Sequence, residues 1–434
     1  MRAAPPALAR ELLVVVRHFF PEFSDWLGQV PDPRNPLYLV YPLKVLLLLG
    51  VLIFLSHSAS RNHFNDNLRD ARQLARTLAA MLGCAVEALP HLDTLEKLLR
   101  RLSPRALETL PARMIRRLIR MKALDDWRVG SRFTLAIDGT GLYAFRERHC
   151  EQCIETHHES GAVTYGHKVL VAFLISPDGY ALPIACEFIE NPGPVYKKQD
   201  CEIKAFHRLE AKLRGLFPQT SFWLLLDSLY ADQNVMRPVI ENGGNFSITF
   251  LDTDMPALWR EAQSLRALSP NQRLSVHRPK DQGTLEVSWI NDLDYEGMSL
   301  SGIFQVETDT DGNILQRFAH LCARPIDRDN ALQVATIARR RSGCENEGFN
   351  VLKNGGFALE HVYSRKPVAA KGYFHLMLVA HLLQQLLTRG RLGAVFKEAF
   401  HTFRNYGKRL LEALRTEVLP DTIAMPGQIR LSTA

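Results

Sequence analysis

The stretch FTLAIDGT, residues 133–140, marks the point at which the character of the sequence changes. Its apolar first half predicts a strand, and Asp138 with the glycine and threonine after it predicts a turn that closes the strand. Before it, from 6 to 126, apolar residues recur at intervals of three and four, the spacing of helices packed on a core. We therefore expect a domain boundary at Gly130, between a helical region and a region of mixed strands and helices.

Strands and helices alternate beyond this boundary. The predicted strands are 133–137, 167–176, 181–189, 222–226 and 246–251, and the predicted helices are 200–214 and 232–241. The order β-β-β-α-β-α-β is the ribonuclease H plan, and it predicts an α/β domain in which helices cover a mixed sheet.

A polar loop and short alternating runs, such as 285–290 and 302–306, interrupt that plan and predict an inserted β-rich subdomain. Helical patterns resume after it and continue to about 419. The predicted organisation is a helical N-terminal region 1–129, a ribonuclease H-like catalytic core in two parts, 130–253 and 317–370, an inserted subdomain 254–316, and a helical C-terminal region 371–434.

The composition is that of an ordinary globular protein, with 46% hydrophobic and 23% charged residues among 434, which argues against wholesale disorder. Seven cysteines in a chain of this length predict free thiols in a reducing cytoplasm. Pro42 and Lys44 interrupt the apolar stretch 37–55, and the remaining run is shorter than the roughly 20 residues that span a bilayer. We expect a buried helix there and no membrane partner.

Basic residues are concentrated between Lys97 and Lys122, where nine of them accompany one acidic residue, Glu108. Such a segment is either a solvated helix face or a surface that binds a phosphate backbone, and its composition favours neither. The candidate DNA-binding residues within it are Arg113, Arg116, Arg117 and Arg120.

Asp138 and Asp227 each follow a run of apolar β-type residues. A carboxylate at the end of a central strand is poorly placed unless something compensates its charge, and Mg²⁺ or Mn²⁺ would do so. The alternative is that each aspartate is a turn residue or a helix N-cap.

The segment RSGCENEGFNVLK, 341–353, carries two candidates for a third acid. A helical stripe that begins at Ala331 reaches Arg341 and Glu345 in steps of three and four, so Glu345 should project from the face that packs on the sheet. Lys353 lies within about a quarter turn of that face. Glu347 points elsewhere and stays as the alternative.

In these three motifs the chain resembles the DDE transposases of bacterial insertion sequences, the insertion-sequence-four type with a Tyr-x2-Arg-x3-Glu-x6-Lys signature. The segment IDGT around Asp138 is similar to the first aspartate motif, and LDSLYAD, 226–232, to the second. Arg341 and Glu345 keep the Arg-x3-Glu spacing. The resemblance covers about 133–363, and the long interval after Asp227 agrees with members that carry a β-rich insertion there.

The resemblance implies two Mg²⁺ or Mn²⁺ ions held by Asp138, Asp227 and the third glutamate, which support DNA strand cleavage and strand transfer at one site. It implies that Arg341 and Lys353 contact phosphates near the scissile bond. It also implies double-stranded DNA as the partner, a homodimer on paired DNA ends and a location at the bacterial nucleoid.

The chain departs from the family's pattern in three places, one of which is Ser342-Gly-Cys344, where a bulky Trp-x-Ile usually precedes the glutamate. Ala338 stands where the tyrosine would be, and Lys353 lies one residue later than the signature's lysine. Two other functions therefore stay open: a ribonuclease H-like nuclease that cuts without joining, and an inactive transposase derivative that only binds DNA.

Cys150 and Cys153, with histidines at 149, 157 and 158, have the chemistry of zinc ligands. A closed zinc site usually takes two ligand pairs farther apart, so two packed thiols in a loop are the favoured interpretation and zinc is the alternative. Asp200 and Glu202 also have two interpretations. The favoured one is that they begin a helix, and the alternative is that they surround the metal ligands as outer-shell acids.

Overall fold

The computed structural model describes residues 6–68, 71–278, 283–420, 422–425, 429 and 431, and its central feature is one open, mixed β-sheet. The protein is mixed α/β, as the sequence predicts. The strands are β1 Arg128–Val129, β2 Arg132–Phe145, β3 Ile154–His157, β4 Val163–Ile175, β5 Ala181–Ile189, β6 Ser221–Leu226, β7 Asn245–Thr249, β8 Arg273–His277, β9 Thr284–Tyr295, β10 Met298–Thr308 and β11 Ile314–Cys322. The helices are α1 Leu8–Phe19, α2 Phe23–Gly28, α3 Leu43–Leu55, α4 Arg61–Leu68, α5 Arg72–Leu82, α6 Leu92–Leu99, α7 Pro104–Arg120, α8 Glu202–Leu216, α9 Gln233–Glu241, α10 Pro256–Leu268, α11 Ala331–Arg339, α12 Asn350–Asn354, α13 Pro367–Gln385, α14 Phe396–Phe400 and α15 Phe403–Thr416.

The first half of the sheet has the strand order β5-β4-β2-β6-β7. β2, β6 and β7 run parallel, whereas β4 runs antiparallel to β2, and β5 antiparallel to β4. The four apolar residues 223–226 of β6 are buried, as expected for a strand covered on both faces. The helices α8 and α9 occur where the sequence predicts them, between β5 and β6 and between β6 and β7.

β2 is longer than predicted. It continues through Asp138 to Phe145, with a bulge between Gly141 and Tyr143, so the turn expected at 138–140 is wrong. The reason is tertiary: β4 pairs with β2 along almost its whole length, and such pairing cannot be seen in local propensities. Gly139 suits this extended position because a Cβ atom there would lie 2.5 Å from a carboxylate oxygen of Glu202.

The second half of the sheet continues the first. β11 pairs with β7 through Leu321 and Ile248, and β10, β9 and β8 follow in antiparallel order. The described residues of 254–316, predicted as an inserted β-rich subdomain, supply α10 and strands of the same sheet. The boundary predicted at 316 falls inside β11.

Helices from both ends of the chain pack together. α13 contacts α3, α6 and α7 as well as β5, and α15 contacts α1 and α5. Glu417 accepts hydrogen bonds from the backbone NH groups of Ala9 and Arg10 at the start of α1, at 3.1 and 3.0 Å. The described helices of 1–129 and 371–434, predicted as helical regions on either side of the catalytic core, thus pack against each other.

α3 is buried along its length, and Gly50 lies in contact with the side chains of Leu95 and Leu376. This confirms the predicted buried helix. Among the described residues, no helix combines the length and the apolar character that crossing a bilayer requires.

Candidate active site

Asp138 and Asp227 lie next to each other on neighbouring parallel strands. The ladder between β2 and β6 pairs Ala136 with Leu225, and the same register continued by two residues brings Asp138 opposite Asp227. Paired positions on adjacent strands are about 4.8 Å apart and direct their side chains to the same face. The structure therefore brings the two predicted aspartates together where β6 ends, and both are partly buried.

The surroundings of Asp138 disfavour its negative charge. Burial is the main cause that raises the pKa of this carboxyl to about 6; the carboxylates of Glu202 and Asp227 add to it, and the Gly139 backbone NH and Arg341 oppose it. The NH of Gly139 donates to Asp138 at 2.8 Å. Three carboxylates thus share a half-buried corner, and a bound cation would compensate their charge.

Glu202 is the member of this group to which the sequence interpretation gave least weight. It opens α8, and its carboxylate lies against Gly139 and accepts a 2.6 Å hydrogen bond from the hydroxyl of Tyr230. The helix start was recognised correctly, but the packing of α8 on β5 and β4, which accompanies the approach of Glu202 to Asp138, depends on contacts between distant segments. Asp200 has a structural role instead, since it pairs with Arg208 at 2.7 Å.

The helix that carries the third acid is not continuous. After α11 the chain turns, and Cys344–Phe349 forms a π-helical segment that leads into α12. Gly348 faces the sheet, because a Cβ atom there would lie 3.1 Å from the ring of Phe173. The wider turn changes the helical spacing, and the Glu345 side chain is 57% exposed. The prediction that Glu345 projects from the packed face is therefore wrong.

Arg341 connects two of the predicted acids. Its Nη1 lies 3.5 Å from Oδ2 of Asp138 and its Nη2 lies 3.3 Å from Oε1 of Glu345. In the part of the chain that the structure describes, this Nη1 is buried and has no hydrogen-bond partner. Arg341 is thus oriented toward the carboxylates with an unused donor.

The other two predicted residues have different partners. Glu347 forms an ion pair with Arg389, and Lys353 lies 3.2 Å from the carboxylate of Glu360. The structure therefore groups Asp138, Asp227, Arg341 and Glu345, joined by Glu202, and it places Glu347 in a separate contact.

The basic segment forms α6, α7 and the turns beside them. Arg113 donates to the side chain of Gln29 at 3.1 Å, and Arg117 lies 3.8 Å from Glu22. Burial lowers the pKa of Arg116, as do the neighbouring charges of Arg120 and Arg113. Because Arg113 and Arg117 have intramolecular partners, the exposed Arg120 and the half-buried Arg116 are the guanidinium groups best placed to meet a phosphate.

A second cluster, of sulfur and nitrogen ligands, lies beyond the end of β2. The potential ligand atoms of His149, Cys150, Cys153 and His167 all lie within 4.8 Å of one another, so the four could hold a metal ion. His167, which belongs to β4, was not among the predicted ligands. Of the predicted histidines, His149 belongs to the cluster, whereas His157 pairs with Glu155 and His158 contacts the hydroxyl of Thr164.

No protein-family model matches the chain, and no curated protein resembles it significantly in sequence. The case for the site therefore depends on its residues and their arrangement.

Proposed function

We propose that the chain is a metal-dependent enzyme that cuts and joins DNA, of the DDE transposase type, with its active site at Asp138, Asp227 and Glu345. The observation that carries the proposal is the register of β2 and β6, which brings two aspartates from distant segments side by side. A pair of acids with one raised pKa at the end of a buried strand is costly for folding, and such costs are typical of functional sites.

The sheet is consistent with this proposal. The succession β2, β4, β5, α8, β6, α9 and β7 is the element order of the ribonuclease H plan. In an open sheet with parallel strands, ligands bind beyond the carboxyl ends of those strands, and Asp227 occupies this position after β6. The order and the position together support a ribonuclease H-like catalytic core.

The donor set fits Mg²⁺ or Mn²⁺. Asp138, Asp227 and Glu202 offer hard oxygen atoms in a half-buried corner. Glu345, which forms an ion pair with Arg341, lies beside them. Divalent ions held there would activate an attacking water or 3′-hydroxyl and stabilise the leaving oxygen of a phosphodiester. The single guanidinium of Arg341 leaves an excess of negative charge that such ions would balance.

Arg341 favours Glu345 over Glu347 as the third acid. It reaches Asp138 and Glu345 from one side chain, whereas Glu347 is held by Arg389. We infer that the Glu345 carboxylate moves toward the aspartates when a metal and DNA bind, because its exposed side chain is free to change rotamer. The π-helical segment that carries it is a type of irregularity often found at functional sites.

The cations of the site would position the DNA backbone. Nη1 of Arg341, which lies beside Asp138 and has no hydrogen-bond partner among the described residues, would be available to a scissile phosphate, and a guanidinium can hold such a group by two parallel hydrogen bonds. Lys353 would act as a point charge once released from Glu360. Arg116 and Arg120 on α7 would bind phosphates farther along a duplex, and a pair of chains would hold the two DNA ends.

The test is a plasmid assay. Supercoiled plasmid that carries the two ends of the DNA element encoding this chain is incubated with the protein and Mg²⁺ or Mn²⁺, and nicked, linear and strand-transfer products are separated. Nicking followed by joining of the new 3′ ends is the expected result. Cleavage without joining would support a nuclease, and binding of the ends without cleavage would support an inactive DNA-binding derivative; either result overturns the proposal.

A further inference from the structure

We propose that His149, Cys150, Cys153 and His167 form a closed zinc site with a structural role. This proposal does not depend on the proposed function, since none of the four residues belongs to the acidic cluster. Two segments contribute to it: a short loop after β2 supplies three ligands, and β4 supplies the fourth.

The distances match a tetrahedron around zinc. Nε2 of His167 lies 3.3 Å from Sγ of Cys150, 3.8 Å from Sγ of Cys153 and 3.2 Å from Nε2 of His149. The two sulfur atoms are 3.3 Å apart, and the same Nε2 of His149 is 3.6 Å from Sγ of Cys153. Zinc bonds of about 2.3 Å to sulfur and 2.0–2.1 Å to nitrogen place tetrahedral ligands about 3.3 to 3.8 Å from one another.

The chemistry of the donor set selects zinc over magnesium. Two thiolates and two imidazoles are the ligands of structural zinc sites, and two thiolate charges neutralise the ion. The rings of Tyr143 and Phe145 surround the histidines, with centroids 5.3 Å from His167 and 4.6 Å from His149. Because four protein ligands leave no open coordination position, the site would be structural.

The zinc site would fix the loop between β2 and β3 and, through it, the start of α8. The side-chain amide of Asn191 donates to the carbonyl of Cys153 at 2.8 Å, and its oxygen accepts from the backbone NH of Asp200 at 3.1 Å. Two residues later Glu202 opens α8 beside Asp138. Contacts behind a metal ligand orient it, and here the same contacts would connect the zinc loop to the acidic cluster.

A disulfide is the competing fate of the two thiols. Their sulfur atoms are not bonded in this structure, and both cysteines are free. A disulfide would use Cys150 and Cys153 alone, and it would give no reason for two histidines to converge on them. Zinc explains all four positions.

The test is the zinc content of the full-length protein, purified with a reductant and dialysed, and measured by elemental mass spectrometry. We expect one zinc per chain in the wild type and nearly none in Cys153→Ser and His149→Ala. Two controls should keep one zinc: Cys84→Ser, at a cysteine outside the cluster, and His157→Ala with His158→Ala, at the neighbouring histidines. Zinc absent from the wild type, or unchanged in both ligand variants, overturns the proposal.

Cobalt binding to the wild type tests the site without any substitution, so misfolding of a variant cannot affect the result. Co²⁺ in this site should give the intense visible bands of a tetrahedral complex and thiolate-to-cobalt charge-transfer bands, both abolished by competing zinc. A weak octahedral spectrum, or a metal-free protein whose mass shows a disulfide between Cys150 and Cys153 under reducing purification, would refute the zinc site.

Discussion

The acidic cluster and the Cys–His cluster are both next to β2, and they differ in almost every other respect. In the ladder between β2 and β4, Asp138 pairs with Val171 and Tyr143 pairs with His167, so the clusters are about 16 Å apart along β2. One cluster presents hard oxygens, an excess of negative charge and an exposed third acid. The other presents soft ligands, a complete coordination shell and an aromatic enclosure.

The comparison indicates how the part of the sheet around β2 would carry both a catalytic site and a stabilising site. A site that must admit phosphate and release product needs open coordination positions, and its unbalanced charges weaken the fold. A closed zinc site contributes folding free energy. Placing the closed site next to the strand that carries Asp138 would keep the costly cluster in position.

The largest effect should come from Asp227→Asn. We expect cleavage to fall by at least about 10³-fold, because the amide removes a charge from the proposed metal site, whereas DNA binding and zinc content stay unchanged. The plasmid assay, DNA-binding titration and elemental analysis measure the three quantities. Asp252→Asn is the matched control, since it changes an exposed acid beyond the end of β7. Undiminished cleavage by Asp227→Asn would show that the acidic cluster does not catalyse cleavage.

How much of this contrast the sequence could predict depends on whether the signal is local. The strand before Asp227, the helix that begins near Glu202 and the Arg341–Glu345 spacing are local patterns, and each has its counterpart in the structure. The position of Asp138 opposite Asp227 depends on the register between β2 and β6, and no local sequence pattern predicts that register.

The parts that sequence reasoning missed depend on packing between distant segments. His167 joins the cysteines because β4 returns alongside β2, and Glu202 approaches Asp138 where α8 packs on β5 and β4. The exposure of Glu345 depends on the π-helical segment, which helical arithmetic at 3.6 residues per turn cannot anticipate. A histidine in a predicted strand, close in sequence to a Cys-x2-Cys loop, is the one signal that could have identified the fourth ligand.

Substitutions of the three glutamates should have smaller effects on cleavage, and these effects should differ from one another. We expect Glu345→Gln to reduce cleavage by about 10²-fold or more and Glu202→Gln by about 10- to 100-fold, the range for residues that ligate or orient a metal site. Glu347→Gln should leave the cleavage rate within about threefold, because its partner is Arg389, outside the cluster. Single-turnover rates with saturating DNA give the comparison. A larger loss in Glu347→Gln than in Glu345→Gln would reverse the assignment of the third acid.

The next prediction concerns the cost of the acidic cluster. The pKa of Asp138 is raised from 3.8 to about 6, so the folded protein binds this proton more tightly than the unfolded chain. The resulting stabilisation is fully present below about pH 4 and is lost as the pH rises through 6. Asp138→Asn cannot ionise and should therefore be more stable than the wild type by roughly 2 kcal/mol at pH 7.5 in magnesium-free buffer, with the difference shrinking toward pH 5.

Urea unfolding at a series of pH values measures this difference, and Asp252→Asn, at an exposed acid outside the cluster, serves again as the control. A stability difference that stays constant from pH 5 to 7.5 would show that the Asp138 charge does not weaken the fold. Added Mg²⁺ should reduce the difference, because it would stabilise the wild type alone.

The smallest effect should come from α7, which belongs to neither cluster. Arg120→Ala and Arg116→Ala should each weaken binding to a duplex by several-fold at moderate salt and lower the slope of log affinity against log salt by about 0.9, the loss of one phosphate contact. Arg113→Ala is the matched control, because that side chain is held by Gln29. Fluorescence anisotropy over a range of salt concentrations measures the slope. If all three variants keep the wild-type slope, α7 is a solvated face, and the duplex must be bound by the cations around the acidic cluster.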